Sequence, residues 1–354
     1  MLYIGADIHK KTTTMAVKNS RGDVVLHKKL PNDKIVLRQF IKSIDDEKKL
    51  VVEATFNWYW FVDLMEKYVD EVMLANSQKA KILMEVNKKA KTDKLDAEGL
   101  AELLRRDMVP KVFIPPKEIR DIRELLRCRI SLVRIRTSVK NRVHGILHKN
   151  GVNSPFSDLF GKGGRVYIAS LSLHPCYTHI LTGYLALVEF LDELISNVGK
   201  EIYKKPLVKT KDIQLLLALP GVGELSAFVI KYETIDIKRF ASDKKYVSYC
   251  GLAPSTSESA DVKRHGKLIP QANHYLKWVF IESAHHARWH WWFKPTYQRA
   301  LKNHGKNIAK IAVARELARI TYFMLSRGEP FRGSESKKAP PKQVSPRGHD
   351  PKRS

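Results

Sequence analysis

Four carboxylates in this chain occupy positions from which they could work together. Asp93 and Asp96 stand at i and i+3 near the start of KTDKLDAEGLAELLRRD (91–107), an amphipathic stretch with Thr92 as its N-cap, so both project from one helix face. Asp7 closes the apolar run LYIGAD (2–7), and Glu53 closes a second, β-branched run within LVVEAT (50–55). Open sheets present ligands at strand ends. Hard oxygen ligands from separate elements, converging on one or two ions, are what Mg²⁺-assisted phosphoryl transfer requires. The competing reading makes each acid a solvated charge, with the helix-start acids stabilised by the dipole.

A second candidate is YCGLAPSTSESADVKRHGKLIPQAN (249–273), where Ser255, Thr256, Ser257 and Ser259 precede Lys263, Arg264, His265 and Lys267. A serine backed by cations can attack phosphorus while the cations neutralise developing charge. A polar surface loop is the bland alternative. LPGVG (219–223), set between apolar helical stretches, resembles a helix-hairpin-helix whose glycines admit a phosphate to backbone N–H groups. An ordinary αα-corner would read the same way. His285, His286 and His290 lie among Trp289, Trp291 and Trp292 with no acid or cysteine to complete a metal site, and read as packing or nucleic-acid-facing residues. His9, two residues after Asp7, could touch substrate, although a lone histidine at a strand end is usually structural.

The elements that must position these groups follow from pattern. LYIGAD, TTTMAVKN and, after the Arg21-Gly22-Asp23 turn, VVLHKKL read as a three-strand meander. Helices are expected at 33–46, 57–70, 79–86 and 91–107, with strands at 50–55 and 71–76, giving an α/β domain with a mixed sheet. Residues 117–149 carry ten Lys or Arg against three acids. Within them Ile119, Ile122, Leu126 and Ile130, then Leu132, Ile135, Val139, Val143 and Ile146, recur at helical spacing. That suits a helical hairpin or coiled coil with 178–203 as antiparallel partner. Further helices are expected around 242–250, 271–290 and 306–326, and a basic, disordered tail from 331 onward.

Over 354 residues, 63 Lys and Arg against 37 Asp and Glu give a net charge of +26, which attracts polyanions and makes nucleic acid the default partner. A hydrophobic fraction of 44% excludes disorder along the whole length. No apolar run is long enough to span a membrane, and MLYIGADIHKK is not a signal peptide. Cys128, Cys176 and Cys250 are isolated, as in a reduced, cytoplasmic protein without disulfides or a zinc ribbon.

GADIHK, VVEAT, KTDKLDAEGLAELL and LPGVG…GLAPSTSESADVKRHGKL…AN, in that order, resemble the IS one-ten family of insertion-sequence transposases, the DEDD transposases, whose relatives are RNA-guided recombinases. The resemblance spans about residues 1–326. It implies a RuvC-like, RNase H-type α/β domain over 1–112, a helical coiled-coil linker used for dimerisation over 113–205, and a mainly α C-terminal domain over 206–330 carrying a serine nucleophile. By position the four acids and metal ligands are Asp7, Glu53, Asp93 and Asp96. The family's serine block reads Ser-Ser-Gly-Gly or a near variant; here it is Glu258-Ser259-Ala260-Asp261, so Ser259 matches the second serine and Ser257 is the alternative. The implied protein is a site-specific DNA recombinase of a bacterium or archaeon, nucleoid-associated when bound. It uses Mg²⁺ or Mn²⁺, double-stranded donor and target DNA and a non-coding guide RNA, and acts as a homodimer or homotetramer with no membrane partner. A Holliday-junction-resolving type of metal-dependent nuclease would use the same acids without the serine, and a non-catalytic nucleic-acid-binding protein would need neither.

Overall fold

Residues 1–85, 92–259 and 262–334 are described by the computed structural model, and the chain divides into two units, Met1–Pro115 and Pro116–Ser354. The first unit is a six-stranded mixed sheet with helices on both faces. Its elements are β1 (Leu2–Ile8), β2 (Thr12–Lys18), β3 (Val24–Pro31), α1 (Lys34–Lys42), β4 (Lys48–Glu53), α2 (Trp58–Met65), β5 (Glu71–Ala75), α3 (Ser77–Glu85), α4 (Asp93–Arg105) and β6 (Lys111–Val112). The strand order is β3-β2-β1-β4-β5-β6. β1, β2 and β3 form the antiparallel meander, while β1, β4 and β5 run parallel. β6 is a short antiparallel edge that the pattern of apolar residues did not announce. This mixed α/β sheet is compatible with an RNase H-like domain.

β1 sits centrally, and its residues feed two cores, as a doubly covered strand must. Ile4, Ala6 and Ile8 pack with Leu37, Phe40 and Ile41 of α1 and Phe61, Val62 and Met65 of α2. On the other face Tyr3 joins Val51, Met73, Leu100, Leu103 and Leu104. Gly5 explains how close α4 comes to that face: a Cβ there would lie 2.1 Å from the carbonyl oxygen of Ala97 and 2.5 Å from the nitrogen of Ala101. The helix begins where Thr92 Oγ1 accepts the N–H of Leu95. Toward its end, Lys18 of β2 pairs with Glu102 at 2.9 Å. Hydrogen bonds from Arg105, then Lys18 and Arg106, hold the Glu102 carboxyl well below the usual carboxylate range against the opposing effect of burial.

The second unit is mainly helical. α5 (Lys117–Lys149), α6 (Lys162–Ser170) and α7 (Pro175–Tyr203) come first. α5 and α7 pack antiparallel, Arg136 pairing with Asp192 and Arg142 reaching Tyr184. Val139, Val143, Ile146 and Leu147 of α5 meet Leu181, Val188 and Leu191 of α7 in their own core, whereas Ile135 is exposed. α8 (Lys211–Leu217), α9 (Glu224–Thr234), α10 (Asp243–Tyr249), β7 (Pro254–Ser259), β8 (Val262–Leu268), α11 (His274–Ala287) and α12 (Lys294–Arg327) complete the unit. The first turns of α5 are bound into this core by Glu233 of α9, 2% exposed, which accepts from Arg123 at 2.9 Å, Arg127 at 2.7 and 3.0 Å and Asn273 at 2.8 Å. Burial pushes that carboxyl up, but the two guanidinium groups and the amide outweigh it and leave it below its ordinary value.

Two features differ from the pattern-based expectation, and a third expectation falls mostly outside the described residues. The serine-rich stretch read as a loop is an antiparallel hairpin, β7 with β8. α12 starts at Lys294 rather than near 306 and is broken at Gly305, whose φ is +80°. Of the tail expected from 331 onward, everything past residue 334 lies outside the described residues. Among the described residues, no helix is long and apolar enough to cross a membrane.

Candidate active site

The register of the sheet delivers the first two acids. β1 and β4 run parallel with Ala6 opposite Val52, so Asp7 and Glu53 each stand one residue further along, at the same end of neighbouring strands. Across the meander Asp7 is opposite Thr14, and Thr14 is opposite Lys29, which makes a row over β1, β2 and β3. Gly5, two residues before Asp7 and so on the same face of β1, is where α4 crosses. The first turn of α4 therefore brings Asp93 and Asp96 to this row.

His9 joins the two sources. Its Nε2 lies 3.0 Å from Asp7 Oδ2 and 3.1 Å from Asp93 Oδ1. Lys29 Nζ donates to the other oxygen of Asp93 at 3.1 Å. The histidine is held in place through its backbone: its carbonyl oxygen accepts from Asn32 at 2.8 Å and from Asn57 at 3.2 Å. Those amides are in turn oriented by Thr13 and Thr55, whose hydroxyls donate to the asparagine oxygens at 2.6 and 2.8 Å. Asp7 is pushed up from the usual carboxylate value, first by burial and then by the charges of Asp93 and Asp96, against the pull of His9. Asp93 is lowered, chiefly by its hydrogen bond from Lys29.

Among the described residues the tight group comprises Asp7, His9 and Asp93, whose ligand atoms all lie within 4.8 Å of one another. Glu53 is placed beside it by strand register, and Asp96 by the field it exerts on Asp7. A divalent cation fits this arrangement. Carboxylate oxygens and an imidazole nitrogen converge there, and Asp7, raised first by burial, is raised further by the charges of Asp93 and Asp96. The buried hydroxyl of Thr14, on the same row, has no hydrogen-bond partner. The sequence marks His9 only as a residue that could touch substrate, and it does not single out Lys29 or the Asn32/Asn57 support, because only the folded sheet brings them to the site.

The serine candidates belong to the second unit. Their backbone lies in the hairpin, Ser257 opposite Arg264 and Ser259 opposite Val262 at the tip, while Ala260 and Asp261 are outside the described residues. In LPGVG, Gly221 has φ +79°, and a Cβ there would lie 2.3 Å from the Ser283 carbonyl oxygen of α11. That glycine serves internal packing. Gly223, by contrast, caps α9 with nothing within 4 Å of a Cβ position.

Comparison with known proteins finds two family matches along the chain. A family profile described as "Transposase", of the DEDD IS110 type, matches residues 4–150. A second, described as "Transposase IS116/IS110/IS902 family", matches residues 213–298. The chain is 23% identical over 340 residues to the transposase for insertion sequence element IS1328 of Yersinia enterocolitica, covering 93% of this chain and 98% of that protein. It is 24% identical over 344 residues to the transposase for insertion sequence element IS1111A of Coxiella burnetii, covering 93% and 91%. It is 26% identical over 263 residues to a probable family 20 transposase of Pseudomonas aeruginosa, covering 68% and 74%. The first profile contains all four acids and the second contains the serine hairpin, in the order in which the chain presents them. The chain thus belongs to the IS110 (IS one-ten) family of transposases.

Proposed function

We propose that this transposase excises and inserts an insertion sequence as a metal-assisted serine recombinase, guided by a non-coding RNA and working as a homodimer or homotetramer on double-stranded donor and target DNA. The observation that carries the reading is the meeting of Asp7 and Asp93, from a strand end and a helix start, around one nitrogen of His9. Asp7, Glu53, Asp93 and Asp96 would hold Mg²⁺ or Mn²⁺, with His9 as a further donor. When bound, such an ion supplies Lewis-acid polarisation of a phosphoryl oxygen.

The chain's own groups do the rest. Lys29 offsets charge on Asp93 through its 3.1 Å ion pair. The Asn32 and Asn57 amides keep His9 aligned with both acids. Ser259 is the proposed nucleophile: its oxygen bonds to phosphorus, a deoxyribose oxygen leaves and takes up a proton, and the serine proton passes to a carboxylate. The resulting phosphoserine ester conserves the energy of the broken bond, so rejoining needs no ATP.

A suicide substrate carrying a nick near the cleavage point tests this. On denaturing gels the wild type should form a protein–DNA adduct that disappears with chelator, with Asp7→Asn and with Ser259→Ala, and persists with Ser257→Ala. An adduct that survives Ser259→Ala moves the role to Ser257. Cleavage without any adduct would establish the hydrolytic nuclease instead, and full cleavage by Asp7→Asn would remove the acids from the chemistry.

A further inference from the structure

Residues 283–315, between Glu282 and Glu316, contain no acid, yet they hold seven Lys or Arg, four His and three of the six tryptophans. The tryptophans fall on the turn between α11 and α12. Ala287 before them and Phe293 after them are buried and fix the two ends of the turn in the core. Between these anchors Trp289, Trp291 and Trp292 are 66%, 47% and 38% exposed. Leaving one indole in water is ordinary, but three within four residues form an apolar patch that calls for a partner.

The rings are held in position. The Arg288 guanidinium lies 4.9 Å over the Trp289 ring, and Tyr297 stands 6.3 Å from it. Trp291 meets Trp292 edge-on at 5.5 Å. Trp292 donates its indole N–H to Glu316 at 3.1 Å and packs edge-on against Phe331. Directly after the turn, Lys294, Arg299, Lys302 and Lys306 are all exposed.

We propose that this turn and the basic first part of α12 bind single-stranded nucleic acid, with unpaired bases stacking on Trp289 and Trp291 and the phosphate backbone following Lys294, Arg299, Lys302 and Lys306. The charge selects a polyanion, because a stretch without acids offers a polycation nothing to bind. The indoles select the single strand. A duplex hides its base faces in its own stack and presents only edges and phosphates, so exposed rings gain nothing from it, whereas every unpaired base has a face to offer. The platform lies in the second unit and does not depend on the acidic cluster or on the serine.

The test uses the full-length protein and fluorescence anisotropy with labelled oligothymidylate, oligouridylate and a duplex of equal length. Trp289→Ala with Trp291→Ala should weaken single-strand binding roughly tenfold or more while changing duplex binding less than about twofold, with an unchanged salt slope. Phenylalanine at both positions should restore most of the loss. Lys302→Gln with Lys306→Gln should weaken all three ligands and flatten the salt slope. Tighter binding of oligouridylate than of oligothymidylate would mark RNA as the strand, and the reverse would mark DNA. The proposal fails if the alanine variant binds single strands as the wild type does, if duplex binding falls by the same factor, or if the wild type binds neither single strand. A protein partner would then be the occupant of the indole patch.

Discussion

Asp7 shows what the candidate site costs the fold. Its ionised form is disfavoured by burial and by Asp93 and Asp96, so its pKa in the folded chain lies above the unfolded value. A carboxyl raised in this way binds its proton more tightly when folded. Stability is therefore undiminished at pH values below the ordinary aspartate range and decreases as pH rises through it. Asp7→Asn keeps the shape and removes the charge. In chelator at neutral pH the variant should melt above the wild type, and the difference should vanish in acid. Adding Mg²⁺ or Mn²⁺ should raise the melting temperature of the wild type and leave that of Asp7→Asn nearly fixed, since a ligand stabilises only the form that binds it. Equal melting with and without metal for both proteins would show that the cluster holds no cation. Calorimetry over a pH series reads all of these together.

At the scale of elements, the close seat of α4 on β1 rests on Gly5. Gly5→Ala puts a methyl where the Ala97 carbonyl and the Ala101 nitrogen already are, and both are backbone atoms that cannot rotate away. The helix must shift outward, at a cost of about 1–3 kcal/mol for forced overpacking. Asp93 and Asp96 would move with it. Adduct formation should fall to near zero while duplex DNA binding stays within about twofold, as electrophoretic shifts would report. Much of this arrangement was legible in the sequence. The i, i+3 acids, the Thr92 cap and the strand-end positions of Asp7 and Glu53 all follow from local pattern. His9 was legible only as a neighbour of Asp7, not as the link to Asp93. Lys29 was not legible at all, because it reaches the site through Asp7 lying opposite Thr14 and Thr14 opposite Lys29, and a single chain does not state its cross-strand register. The β7–β8 hairpin was missed for another reason: PSTSES and VKRHGKL lack the apolar alternation that marks a half-buried strand. Pro295 and Gly305 likewise masked the first third of α12.

For the whole molecule, the proposed oligomer separates two residues that share one helical pattern. Val139 belongs to the intramolecular core between α5 and α7, whereas Ile135, one turn earlier, is 48% exposed. Val139→Glu places an unpaired carboxylate in that core and should cost several kcal/mol, seen as a lowered melting temperature. Ile135→Glu should leave melting unchanged and reduce the mass measured by light scattering if α5 packs against a second copy. An unaltered mass would assign the outer face of the hairpin to nucleic acid or solvent. Together the two variants distinguish residues that hold one chain together from residues that join two.

Gly305 sets the heading of the charged arm that follows the tryptophan turn. With its left-handed φ, the residues of α12 on either side of it follow different axes, and no atom lies where a side chain would begin. Any L-residue placed there meets no obstacle in space but strongly prefers the right-handed conformation, which would fuse the 34 residues into one rod about 51 Å long. The segment that carries Lys294, Arg299 and Lys302 would then continue along the axis of the segment after Gly305 instead of following its own. The direction in which this protein holds out its positive charge thus depends on one dihedral angle, at a position whose side chain, being absent, contacts nothing.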